Sequence, residues 1–173
     1  MNLPKSKIYS INLMGIIYRV KMIMAVKGMN KYNNFLWAAK SINRIALRRL
    51  KLDSNKFDSL YLFNSSGLEL MEYYGGKKKL ILEQCIAIHK IEVELLEIER
   101  KNFPEWEYWE SNSQAMLEFI EREKEELALA DIIICPSEFV EKSVISLNPS
   151  YKSKTRVVPY GVALSLKKCS PKI

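Results

Sequence analysis

The sequence predicts an α/β protein: a Rossmann-like open parallel sheet with helices on both faces. Three observations carry this. Four short apolar runs, at residues 59–63, 79–82, 132–135 and 154–158, have the length and composition of strands. Helical periodicity fills the intervals between them. The third run ends at Pro136-Ser137 and the fourth at Pro159-Tyr160-Gly161, so strand, helix and strand follow one another as in a parallel crossover unit.

The first 33 residues resist this reading. Ile8, Ile11, Leu13, Ile16, Ile17, Val20, Ile23 and Val26 keep neither a helical nor a strand period, and Gly15 and Gly28 form no phosphate-cradling pattern. Over 34–50, Phe35, Leu36, Ala39, Ile42, Ile45, Ala46 and Leu50 share a helical face. Arg44, Arg48 and Arg49 take its polar side and last turn, where cations complement the helix dipole. The strand at 59–63 passes through Asn64-Ser65-Ser66-Gly67 into a helix that Gly75-Gly76 ends. The next strand delivers Glu83, Gln84 and Cys85 to its carboxyl end. A charged helix over 91–101 separates Val93 and Leu96 from Glu92, Glu94, Glu97 and Glu99. Pro104 breaks the chain, and Trp106 and Trp109 read as packing aromatics in the connection. Ser113 opens a helix with Met116, Leu117, Ile120, Leu127 and Ala128 inward, and its glutamates from Glu118 to Glu126 read as a solvated face. Ser137 caps the last helix, whose Phe139, Val140, Val144 and Ile145 share a face.

At 173 residues and 20.2 kDa the chain builds one core. The expected organisation is a basic segment over 1–33, a Rossmann-like domain over 34–162 and a basic tail over 163–173. The net charge of +7 conceals segregation: twelve basic residues against Asp53 and Asp58 up to Leu60, eight against eighteen acidic from Tyr61 to Glu141, then seven and none. Such blocks fit either solvated faces that neutralise one another on folding or an anionic membrane surface. Nucleic acid is the less expected partner. Cys85, Cys135 and Cys169, with a single histidine, lack the spacing of a metal site. A reducing, cytoplasmic compartment is expected, with peripheral attachment at the inner face of the membrane as the variant. Arg19 and Lys21 interrupt the apolar run at 8–26, which argues against a secretory signal or a membrane span.

Ala130-Asp131-Ile-Ile-Ile-Cys-Pro136-Ser137-Glu-Phe139-Val140, followed by Val157-Val158-Pro159-Tyr160-Gly161-Val162, resembles the end of the N-terminal domain of family 4 glycosyltransferases, which have the GT-B fold. The resemblance covers residues 36–162 and implies the acceptor-side half of such an enzyme. In the family this turn leads into a second Rossmann-like domain that holds the nucleotide-sugar donor. Here it leads to Ile173, so the expectation is a chain truncated before the donor domain, with no cofactor of its own. It would be inactive alone, dependent on a separate donor-domain chain, or self-associated through the exposed inter-domain face at 159–166. The family's Gly-rich loop after its first strand has no counterpart.

Ligands of open α/β sheets gather beyond the carboxyl ends of the strands. This places Asn64, Ser65, Gln84, Ser137, Tyr160 and Gly161 on one edge as substrate-binding candidates. The resemblance adds His89 and Glu83 as catalytic candidates, since in some family members a strand ends in an acidic residue and a histidine follows. His89 would orient a hydroxyl near neutral pH, and Glu83 would orient the acceptor. The parent reaction carries a sugar from a nucleotide sugar to a glycan or lipid-linked acceptor. The rival expectation is a non-catalytic module whose basic first third binds an anionic membrane or nucleic acid.

Overall fold

The computed structural model describes residues 8–25, 31–105 and 113–161. Helices α1 (Asn12–Ala25) and α2 (Lys31–Leu52) precede a regular alternation: β1 (Ser59–Phe63), α3 (Leu68–Tyr74), β2 (Lys79–Glu83), α4 (His89–Asn102), α5 (Gln114–Leu129), β3 (Ile132–Cys135), α6 (Glu138–Leu147) and β4 (Thr155–Val157). The four strands are parallel in the order β1-β2-β3-β4. Leu60 pairs with Leu80, Leu82 with Ile133 and Cys135 with Val157. The sheet is open and flanked by helices, the Rossmann-like class the sequence predicts.

Every crossover steps in the same direction. Right-handed connections then put α3, α5 and α6 on one face of the sheet. Burial agrees: Leu60, Leu80, Leu82, Ile133 and Cys135 form one core with Met71 and Tyr74 of α3, Leu127 of α5 and Val140 and Val144 of α6. The second face, which the sequence reading also covered with helices, keeps Tyr61 and Phe63 half exposed among the described residues. Helix α2 packs on α3 and α5, and α1 packs on α2.

Local chemistry sets the ends. Ser113 Oγ accepts from Met116 N and caps α5, and Ser137 Oγ accepts from Val140 N at 3.3 Å and caps α6. Lys154 Nζ, at the entry to β4, donates to the carbonyls of Leu127, Ala128 and Ala130, closing α5 at its negative end. Gly76 ends the α3 turn with φ of 70°, a conformation that side chains resist.

Some expected details change. The chain from Asn12 to Ala25 is a helix, although its apolar residues gave no period, because they lie on both of its sides. On α6, Phe139 is exposed, as are Ile42 and Ile45 on α2 and Leu117 and Ala128 on α5. No helix among the described residues is long and apolar enough to cross a membrane. Trp106, Trp109, Cys169 and the tail at 163–173 lie outside the described residues.

Candidate functional site

Strand β2 ends at Glu83, and the short link Gln84 to Ile88 turns into α4, whose first residue is His89. Glu123 of α5 fastens both ends of that link. One of its oxygens accepts from Gln84 Nε2 (2.9 Å) and the other from the His89 backbone N–H (2.7 Å). Ser143 Oγ of α6 accepts from Ile88 N at 3.2 Å. The imidazole is therefore set in place from two neighbouring helices.

His89 is buried, and both ring nitrogens are engaged. Nδ1 lies 2.9 Å from Glu92 Oε2, one helical turn on, and Nε2 lies 2.9 Å from the Tyr32 hydroxyl. The rings of Tyr32 and Phe119 meet it edge-on at 5.4 and 5.3 Å. A carboxylate can only accept from Nδ1, so in the neutral ring the basic nitrogen is Nε2. Carboxylate, imidazole and hydroxyl stand in line, the arrangement by which a base is oriented toward a hydroxyl group.

His89, Glu92, Glu123, Tyr32, Asn64 and Ser65 line a pocket of about 210 Å³. Phe35, Asn64, Ser65 and Phe119 belong also to a larger, mainly apolar cavity of about 670 Å³ that reaches under α1. Ser65 stands at the junction. Its φ of 61° is uncommon outside glycine, and its Oγ is buried without a hydrogen-bond partner.

The backbone of the same turn is fully used. Glu126 accepts from Ser65 N at 2.6 Å and from Gly67 N at 2.8 Å. A Cβ at Gly67 would meet Leu62 Cδ1 at 3.0 Å and Cβ at 3.2 Å, so a larger residue there would require Leu62 to shift. Burial pushes the Glu126 carboxyl up to about 7, against the Gly67 and Ser65 N–H groups that favour its charge. Donors that would face a phosphate in many α/β folds already face an internal carboxylate here.

The helix that reads as solvated from Glu118 to Glu126 is thus corrected. Arg122, Glu123 and Glu126 are buried, while Arg122 grips Glu69 of α3 with two bonds of 2.8 and 3.0 Å. Glu118 pairs with Lys40. Glu92, read only as one of the glutamates set apart from Val93 and Leu96, is the partner of His89. One signal was present: Met116, Phe119, Glu123, Leu127 and Ala130 keep the spacing of one helical face, so Glu123 sits where an inward residue belongs.

Of the expected site residues, His89, Asn64 and Ser65 come together in the pocket, and Gln84 supports it through Glu123. Asn64 Oδ1 also accepts from Cys85 N at 3.3 Å. Glu83 belongs to another cluster, where its two oxygens accept from Tyr61 (2.5 Å) and Tyr160 (2.7 Å). Those hydroxyls hold its carboxyl below the usual range, while Glu83 raises Tyr61 to about 12 and Tyr160 in the same direction. Ser137 is occupied as a helix cap, and Gly161 is exposed at the end of the described chain. Cys135 is a buried thiol pushed up by burial to about 11. No protein-family model, curated protein or solved structure matches this chain.

Proposed function

We propose that this chain supplies the acceptor side of a glycosyl transfer from a nucleotide sugar, as the resemblance to family 4 glycosyltransferases implies. The observation that carries the reading is His89: its Nδ1 is held by Glu92 while its Nε2 meets a hydroxyl in a pocket at the carboxyl edge of a parallel sheet. In the reaction the acceptor hydroxyl displaces the Tyr32 hydroxyl from Nε2 and takes its place. As its oxygen bonds to the anomeric carbon, the bond from that carbon to the nucleotide diphosphate breaks and the proton passes to Nε2. Glu92 stabilises the imidazolium that forms.

The departing diphosphate needs positive charge or free N–H donors. The turn at 64–67 has no cationic side chain and gives two of its amides, those of Ser65 and Gly67, to Glu126. Donor binding is assigned to another domain, on the same polypeptide or on a separate chain, as the resemblance implies. Glu83 takes no proton in this scheme; it anchors Tyr160.

The test is a nucleotide-release assay followed by NMR, with a panel of nucleotide sugars and acceptors, the chain alone and with a family 4 donor domain. Saturable release that needs acceptor and falls by about 100-fold or more in His89→Ala supports the reading. Release that H89A leaves unchanged removes it.

A further inference from the structure

We propose that α1 lies in the surface of an anionic membrane and that the cavity behind it takes the apolar chain of a lipid whose polar head reaches the His89 pocket. The head-group end rests on the acceptor reading above; the membrane and chain-binding parts stand on separate observations.

On α1, Leu13, Ile16, Val20 and Ile23 recur on one helical face and are 69, 61, 51 and 68% exposed. Soluble surfaces rarely leave so continuous an apolar stripe uncovered. The other side of α1 presents Met14 and Tyr18, with Ile11 just before the helix, to the 670 Å³ cavity, with Phe35 and Phe119 among the residues lining it and Asn64 and Ser65 at its junction with the His89 pocket. One helix thus carries apolar groups toward the surface and toward the cavity at once. Its 14 residues make it about 21 Å long, short of the ~30 Å hydrocarbon layer and suited to lying within the interface.

Charge decides between possible occupants of the stripe. Neither α1 nor α2 contains an acidic residue, Arg19 borders the stripe, and Arg44 and Arg48 are exposed on α2. Anionic lipid complements these cations, whereas a second copy of the chain would bring like charges together. The cavity lies within the ~300–1,000 Å³ range of small-molecule sites. Its mainly apolar lining, joined at Ser65 to a polar pocket, selects a ligand that is apolar along most of its length and polar at one end. A lipid drawn from the membrane beside α1 meets both conditions.

Two measurements test this without any sugar donor. The first is co-sedimentation with vesicles of phosphatidylcholine alone or mixed equally with phosphatidylglycerol. Binding is expected to the mixed vesicles, weaker at high salt, and to fall at least about tenfold in the double variant I16D/I23D, whose exposed positions spare the core. The second follows quenching of Trp37, which lines the cavity, by bromododecanoate in a chain carrying W106F and W109F. Saturable quenching is expected, and Ala38→Phe, which fills the cavity, should abolish it while leaving vesicle binding intact.

Vesicle binding unaffected by I16D/I23D, or a wild-type dimer that this variant converts to monomer with no vesicle binding, would overturn the membrane assignment. Quenching that does not saturate, or that A38F leaves unchanged, would overturn the cavity assignment. Chain binding with no sugar transfer would remove the transferase reading and keep this one; transfer without chain binding would do the reverse.

Discussion

Glu83 and His89 leave the same strand end six residues apart, yet their partners give them different work. Both oxygens of Glu83 are taken by tyrosine hydroxyls, whereas His89 pairs a carboxylate through one nitrogen and, through the other, the hydroxyl of Tyr32 in the lining of a pocket. The Glu83 assignment has an optical test. A phenol that donates to a carboxylate resists ionisation, so Tyr61 and Tyr160 should still be protonated near pH 11, when ordinary exposed tyrosines have titrated. Glu83→Gln removes the negative charge and should raise tyrosinate absorbance at that pH by up to two residues; equal absorbance in the two proteins would show that the hydroxyls are not bound in solution. Glu126 answers to stability instead. Glu126→Ala leaves the N–H groups of Ser65 and Gly67 without their acceptor, and urea unfolding should show a loss of about 2–4 kcal/mol.

Elements fold here where a local signal and the tertiary demand agree. Ser137 illustrates this: a hydroxyl straight after the apolar run of β3 predicts a helix start, and that bond is made. Ser137→Ala should lower stability by about 1 kcal/mol in urea unfolding, with the helix itself retained by circular dichroism. The strands were legible for a similar reason, since buried parallel strands are short continuous apolar runs bounded by turns. Helix α1 was not, because amphipathic periodicity needs a polar side and α1 has apolar residues on both. The inner face of α5 was misread because composition outweighed spacing: a dense run of glutamates looks solvated, yet Glu123 and Glu126 meet backbone donors that only the fold brings near. The closure of α5 by Lys154 was equally hidden, being a contact between residues far apart in sequence. Lys154→Met should cost about 1–2 kcal/mol by the same assay, since it strips three carbonyls of their partner.

At the scale of the whole molecule these buried carboxyls shape the response to pH. Glu123 and Glu126 are raised by folding, chiefly through burial; Glu69 and Glu83 are lowered, the first by Arg122 and Asn43 overcoming its burial and the second by its tyrosines. For Glu126 the folded chain keeps a proton that the unfolded chain, with its glutamate near 4.5, has already released. Its stabilising share is therefore complete below about pH 4.5 and is lost as pH rises through about 7, a change of at most about 3 kcal/mol. Glu69 and Glu83 act in the opposite sense, contributing above their unfolded values and failing as the solution is acidified. Stability should therefore peak near pH 5 and decline toward pH 8. A competing effect exists, because a chain with net charge +7 relieves self-repulsion as pH approaches its isoelectric point of about 9.2. That effect is nearly the same in Glu126→Gln, so the comparison isolates the carboxyl. Urea unfolding at pH 5, 6.5 and 8 should show the wild type losing stability relative to E126Q across this range. Parallel profiles would mean that the Ser65 and Gly67 amides outweigh burial and keep Glu126 ionised throughout.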